Sequence, residues 1–209
     1  MTSPLPFNAK TVLMASGQGS QRPGMGADLL DVPEVAATFA LASDVLGRDV
    51  AALCASGEGL DDTRNAQAAI ATLSIAIGRA LEARGVRPDA LLGFSLGQVS
   101  ALALGGMVSD ADALRIVRER SRIMGEVADA NPGAMSALLK GDPADVEAVC
   151  AECARGEVLV AANYNSPAQT VVAGTPAAVE RAEAAWKERG GRASRLATSG
   201  GFHSPLMAD

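Results

Sequence analysis

Leu91-Leu92-Gly93-Phe94-Ser95-Leu96-Gly97-Gln98-Val99-Ser100 carries a G-x-S-x-G pattern where an apolar run gives way to helical spacing. Upstream, Pro88–Phe94 has the apolar density of a buried strand, and downstream Leu96–Leu104 reads as a helix. A serine nucleophile held between strand and helix needs this order. Small residues on both sides let the backbone fold back sharply and leave the hydroxyl exposed. Ser95 is therefore a candidate nucleophile, and the Leu96 amide, at the positive end of the helix, a candidate oxyanion donor. So short a pattern also arises by chance, and a serine between glycines can simply cap a helix. The strand-turn-helix context favours the nucleophile.

Near the start of the chain, Thr11–Ala15 reads as a strand feeding a glycine-rich loop, Ser16–Gly26. Helical spacing follows over Pro33–Leu46 and Ala66–Arg84, with Gly47 and Gly85 as stops. Ser109 caps a long helix that begins near Asp110. After Asn131-Pro132-Gly133 six elements follow: strand 134–139, helix 143–154, strand 158–163, strand 169–173, helix 176–189 and strand 193–197. That β-α-β-β-α-β order is the ferredoxin-like pattern. The predicted fold class is α/β: a large α/β-hydrolase-like subdomain, with a parallel sheet and a nucleophile elbow (residues 1–130 and 196–209), plus an inserted ferredoxin-like small subdomain (residues 131–195).

The 209 residues are 48% hydrophobic and 20% charged, enough for a sizeable core, and the six aromatic residues leave packing to small aliphatic side chains. The net charge of -6 argues against a nucleic-acid partner. There is no apolar run long enough to span a membrane, and the start lacks the pattern of a signal peptide, so the expectation is a cytoplasmic protein with no membrane partner. Cys150 and Cys153 form a C-x-x-C spacing inside a predicted helix, with no second pair to complete a zinc site. The predicted metal complement is none.

A serine nucleophile needs a base, and the chain has one histidine, His203, in a loop after the last predicted strand. On the helix Asp112–Val127, Arg115, Arg118 and Arg122 share a face with Glu119 and Glu126, where solvated ion pairing suffices as an explanation. Arg120 projects instead among Ala113, Ile116, Val117, Ile123, Met124 and Val127. A guanidinium on an apolar face requires an anion, either an acidic acyl substrate or a carboxylate of the protein itself. The spacing does not choose between them.

Five stretches, Gly17–Gln21, Gly93–Gln98, Arg120–Met124, Asn163–Pro167 and Gly201–Met207, together resemble the malonyl-CoA:acyl carrier protein transacylases, the acyltransferase family of fatty-acid and polyketide synthesis. The resemblance spans nearly the whole chain. It implies that Ser95 accepts a malonyl group from malonyl-CoA, that His203 acts as base and then acid, and that Arg120 grips the free carboxylate. It further implies that Gln18 supplies a second oxyanion-hole amide beside Leu96, and that Phe202 favours malonyl over branched extender units. The implied partner is acyl carrier protein, with no permanently bound cofactor and a monomeric enzyme. Because carrier proteins are acidic, Arg115, Arg118 and Arg122 are candidate docking residues.

The chain departs from the family pattern in three places. Phe94 and Gln98 stand where His and Glu are usual, and Ala15-Ser16-Gly17 where Phe-Pro-Gly is usual. The family also continues beyond the histidine motif with a segment that orients the histidine, so the expectation is that the 209 residues belong to a longer protein. Two other readings remain: an α/β-hydrolase-type esterase or thioesterase, and a non-catalytic acyltransferase-like domain that binds carrier protein.

Overall fold

The computed structural model describes residues 11–198 and 200–208. Residues 1–10, Ser199 and Asp209, parts of the expected large subdomain, lie outside the described residues. The protein is mixed α/β, with one parallel and one antiparallel sheet. Its packing divides into two units: the described residues up to Leu60 with Arg64–Ser121, and Asp61–Thr63 with the residues from Arg122 onward.

The first unit contains β1 (Val12–Ala15), α1 (Pro33–Leu46), α2 (Val50–Ser56), α3 (Thr63–Ala83), β2 (Ala90–Gly93), α4 (Gly97–Leu104) and the start of α5 (Asp110–Ala130). Strands β1 and β2 pair in parallel, in register from Val12 opposite Ala90 to Ala15 opposite Gly93. A parallel pair cannot be joined by a tight turn, and α1–α3 form its crossover. Helix α3 carries the centre of the core: Ala66, Ala69, Ile70, Ala71 and Ala76 pack with Phe39, Val50, Leu96, Leu114 and Val117. Alanines at these positions let neighbouring elements approach closely, which is how a core with few aromatic residues fills. The short helix α2, capped by Asp49 accepting from the Ala52 N–H at 2.8 Å, is absent from the sequence expectation.

Along β1 and β2 side chains alternate. Leu13 and Leu91 face Leu81 of α3 and Leu104 of α4 around a cavity that Glu82 and Arg87 also line. On the opposite face Val12 is 42%, Met14 76% and Leu92 54% exposed. The expectation of a fully buried strand over 88–94 is thus corrected: among the described residues, helices cover one face of the parallel pair only.

The second unit contains β3 (Ala134–Leu139), α6 (Pro143–Ala154), β4 (Leu159–Ser166), β5 (Gln169–Gly174), α7 (Pro176–Glu188) and β6 (Arg192–Arg195). Its sheet has the order β4-β5-β3-β6, antiparallel throughout. Asp142 and Thr175 cap α6 and α7 by accepting from the Asp145 and Ala178 N–H groups. Alternation along β3 sends Ala134 and Leu138 to one face, against Val146, Val149, Val179 and Trp186 of the two helices. Met135 and Ala137 go to the other face, against Ala128 and Phe202. The boundary read from sequence, at 130/131, and the packing division inside α5 differ for this reason: Met124 and Ala128 pack on the antiparallel sheet. The Asn163–Pro167 stretch lies at the β4–β5 hairpin, where the pairing register shifts twice.

Candidate active site

Ser95 sits in the turn between β2 and α4 with φ of 49°. This left-handed conformation costs a residue with a side chain about 1 kcal/mol or more, and it survives because the surroundings overdetermine it. Two flanking positions have no space for a side chain. A Cβ on Gly93 would lie 2.2 Å from the Gln98 nitrogen, and one on Gly97 would lie 2.1 Å from the Ala15 carbonyl oxygen. The backbone closes the turn with Phe94 N–H donating to Ala15 O at 3.0 Å and Gly97 N–H donating to Phe94 O at 2.8 Å. G-x-S-x-G is therefore a steric requirement here.

Leu96 is buried, and its N–H makes no hydrogen bond among the described residues. It is the N-cap of α4, whose orphan N–H groups and dipole favour negative charge at this end. The loop after β1 comes close to the elbow: a Cβ on Gly17 would lie 2.7 Å from both Phe94 Cδ1 and Phe94 O. Gln18, the expected second oxyanion donor, follows in that loop and is half-buried.

Arg120 reaches this turn from α5. One Nη donates to Ser95 Oγ at 3.0 Å, and the other donates to Gln67 Oε1 on α3. The buried face of α5 is formed by Ala113, Leu114, Val117 and Ser121, and Arg120 is half-buried at its edge. Ile116 and Ile123, expected around Arg120, are 43% and 50% exposed, because α5 presents them away from that face. Burial pulls the guanidinium below the usual arginine range. Among the described residues its hydrogen-bond partners are neutral, so the protein-carboxylate alternative finds no support. Gln67 was missed from sequence. Its signal was a lone polar residue, 1% exposed, in the run Ala66–Ile70.

The remaining expected residues belong to the second unit. His203 is exposed, with φ of 60°. Among the described residues four non-glycine positions have positive φ, and Ser95 and His203 are two of them. Ser204 Oγ donates to the Gly201 carbonyl and accepts from the Leu206 N–H, which fixes the loop around the histidine. Phe202 is 5% exposed, packed on Gly200 and Ala128.

Arg115 pairs with Asp112 at 2.6 Å, Arg118 with Glu119 at 3.6 Å and Arg122 with Glu126 at 2.7 Å, on exposed side chains. The solvated-face explanation accounts for all three, and they offer no uncompensated basic patch. Cys150 and Cys153 are buried, with burial pushing the Cys150 thiol up to about 12 and the Cys153 thiol upward. Among the described residues no cluster of metal-ligating side chains occurs, and no helix is long and apolar enough to cross a membrane.

The site is thus a serine held in a left-handed turn between a parallel strand and a helix of a mixed α/β protein, with a half-buried arginine donating to its hydroxyl. The acyl transferase domain family matches residues 12–209, and the chain belongs to it. The malonyl CoA-acyl carrier protein transacylase of Escherichia coli K12 is 43% identical over 196 residues, covering 91% of this chain and 63% of the relative. The crystal structure of malonyl-CoA:acyl carrier protein transacylase from Xanthomonas oryzae pv. oryzae superposes with TM-score 0.89 at 43% identity, over 94% of this chain and 64% of that one. A type II PKS acyl-carrier protein in complex with its malonyl-transacylase superposes through a chain 40% identical, with TM-score 0.89, over 94% and 65% of the two chains. The chain thus spans somewhat under two thirds of the length of these relatives.

Proposed function

We propose that this chain carries the nucleophile, base and carboxylate clamp of a malonyl-CoA:acyl carrier protein transacylase. The supporting observation is Arg120: a desolvated guanidinium with no carboxylate partner among the described residues, 3.0 Å from Ser95 Oγ. In a malonyl thioester the free carboxylate lies one methylene from the carbonyl under attack. An arginine beside the nucleophile can hold that carboxylate while the carbonyl meets Ser95. A neutral ester would leave the guanidinium buried without an anion. This disfavours the esterase reading, and the retained strain at Ser95 disfavours a non-catalytic domain.

The reaction is a ping-pong transfer. His203 takes the proton from Ser95 Oγ as the oxygen attacks the thioester carbonyl. The Leu96 N–H and the Gln18 amide receive the oxyanion. The C–S bond then breaks, and coenzyme A leaves as the thiol with the proton from His203. In the second half His203 deprotonates the carrier thiol, which attacks the malonyl-serine ester, and the proton returns to Ser95 Oγ. Phe202 sorts acyl groups by bulk beside His203. The fold reading that accompanies this function is a large α/β-hydrolase-like part with a ferredoxin-like insert over 131–195. The βαββαβ order and the β4-β5-β3-β6 arrangement support it. We place the protein in the cytoplasm as a monomer, with acyl carrier protein as its partner and no permanent cofactor.

Mass mapping of the protein after incubation with malonyl-CoA tests the reading. The expected result is a malonyl adduct on Ser95, discharged faster by a carrier thiol than by water and absent from Ser95→Ala. Arg120→Ala should lower malonyl transfer roughly 10²-fold, the value of about 3 kcal/mol for a bidentate charge-assisted contact, while acetyl transfer falls less. Malonyl transfer unaffected by Arg120→Ala, or adduct formation elsewhere, would overturn it.

A further inference from the structure

Phe94 is a large apolar side chain, 48% exposed, immediately before the nucleophile. Its contacts are unusual for an exposed ring. A Cβ on Gly17 would lie 2.7 Å from Phe94 Cδ1 and 3.4 Å from Cε1, so the ring lies directly on the backbone of the loop that follows β1. The hydrogen bonds at Ser20 and Gly19 shape this loop internally: Ser20 Oγ donates to Gly17 O at 2.9 Å and lies 3.1 Å from Ser16 Oγ, and the Gly19 N–H donates to Gln21 Oε1 at 2.7 Å. Such bonds set the loop's form and leave its distance from Ser95 open. Backbone approaches tie the loop's first residues to the elbow: the Ala15 carbonyl oxygen accepts from the Phe94 N–H and abuts Gly97, the Ser16 carbonyl oxygen also abuts Gly97, and the Phe94 carbonyl oxygen lies against Gly17. At Gly17 the side chain that meets the loop is the Phe94 ring, beside the Phe94 carbonyl oxygen.

We propose that Phe94 is a positioning residue whose ring acts as a spacer, holding Gly17, and with it the adjoining Gln18 amide, at a fixed distance from the carbonyl that Ser95 attacks. This rests on the acyl-transfer reading above. The relevant physical property is rigidity. A phenyl ring against a glycine has two side-chain torsions and no charge, so the spacing it sets is independent of pH. An imidazole at the same place would change charge and hydration near neutrality. Because oxyanion stabilisation depends on donors lying within a few tenths of an ångström of their ideal position, a spacer acts on the transition state and leaves the Arg120 grip on the ground state untouched.

The test is steady-state malonyl transfer by the Phe94→Ala, Phe94→Tyr and Phe94→His variants, with thermal melting as the control for folding. Removal of one oxyanion donor costs about 10²–10³ in kcat, and a displaced donor should cost less. Phe94→Ala is expected to lower kcat about 10- to 100-fold with KM for malonyl-CoA within twofold of the parent. Phe94→Tyr, which keeps the ring, should restore kcat to within about threefold. Phe94→His should give a kcat that varies through the imidazole titration near pH 6.5 in excess of the parent profile. A kcat for Phe94→Ala within twofold of the parent, a matching rise in KM, or failure of Phe94→Tyr to rescue would overturn the proposal. A fluorophosphonate probe separates this failure from failure of the transacylase reading. It modifies Ser95 through the same oxyanion site without malonyl recognition, so its rate should fall in Phe94→Ala and recover in Phe94→Tyr even if malonyl-CoA proves not to be the donor.

Discussion

The two sheets are built from similar strands and closed in different ways. The antiparallel sheet β4-β5-β3-β6 buries both faces within its own unit, α6 and α7 on one side and Ala128 with Phe202 on the other. The parallel pair β1–β2 has α3 and α4 on one side and leaves Val12, Met14 and Leu92 exposed on the other. Two strands are too few to be stable alone, so β1–β2 draws its stability from the helices it packs against. Among the described residues the antiparallel sheet is packed on both faces, whereas the parallel pair has helices on one face and close backbone packing at the elbow.

Three substitutions test that contrast. Trp186 is 3% exposed, with its Nε1–H donating to Leu139 O at 2.8 Å, at the centre of the helix-covered face. Trp186→Ala should destabilise the protein by about 4 kcal/mol in urea melts, with amide exchange accelerated first in β3, β5 and α7. Gly97→Ala drives a Cβ to 2.1 Å from the Ala15 carbonyl oxygen, backbone against backbone, with no flexible side chain to yield. It should cost about 3 kcal/mol and abolish acylation of Ser95 by malonyl-CoA, measured by intact mass. Met14 is 76% exposed, and Met14→Thr should change stability by less than about 0.5 kcal/mol. A Met14→Thr loss as large as that of Trp186→Ala would show that the two sheets are closed alike, and the contrast would fail.

The sequence was most legible where local geometry and chemistry coincide. The bounds of α1 and α6, the Ser109 cap and the βαββαβ order all follow from spacing and capping residues, because those signals lie within a few positions of one another. The tight turn at Ser95 was legible because it requires its two glycines within five residues. Helix α2 escaped because seven residues barely complete two turns and leave too short a pattern to detect. The face of α5 was read one step wrong around Ile116 and Ile123. Apolar spacing marks a stripe, but exposure depends on which neighbours arrive. Gln67 was not legible as a partner of Arg120, since the two are 53 residues apart and neither signals the other.

The elements and the tight turn at Ser95 were set locally in the sequence, because propensity, periodicity and glycine requirements are local. Only the tertiary structure decided what they meet. It strained Ser95 into a left-handed turn, placed the Arg120 guanidinium on its hydroxyl with an amide in place of a carboxylate as second partner, and left the outer face of β1–β2 exposed. Desolvation and hydrogen-bond pairing arise from packing between distant segments, and no local stretch of sequence encodes which segments those are.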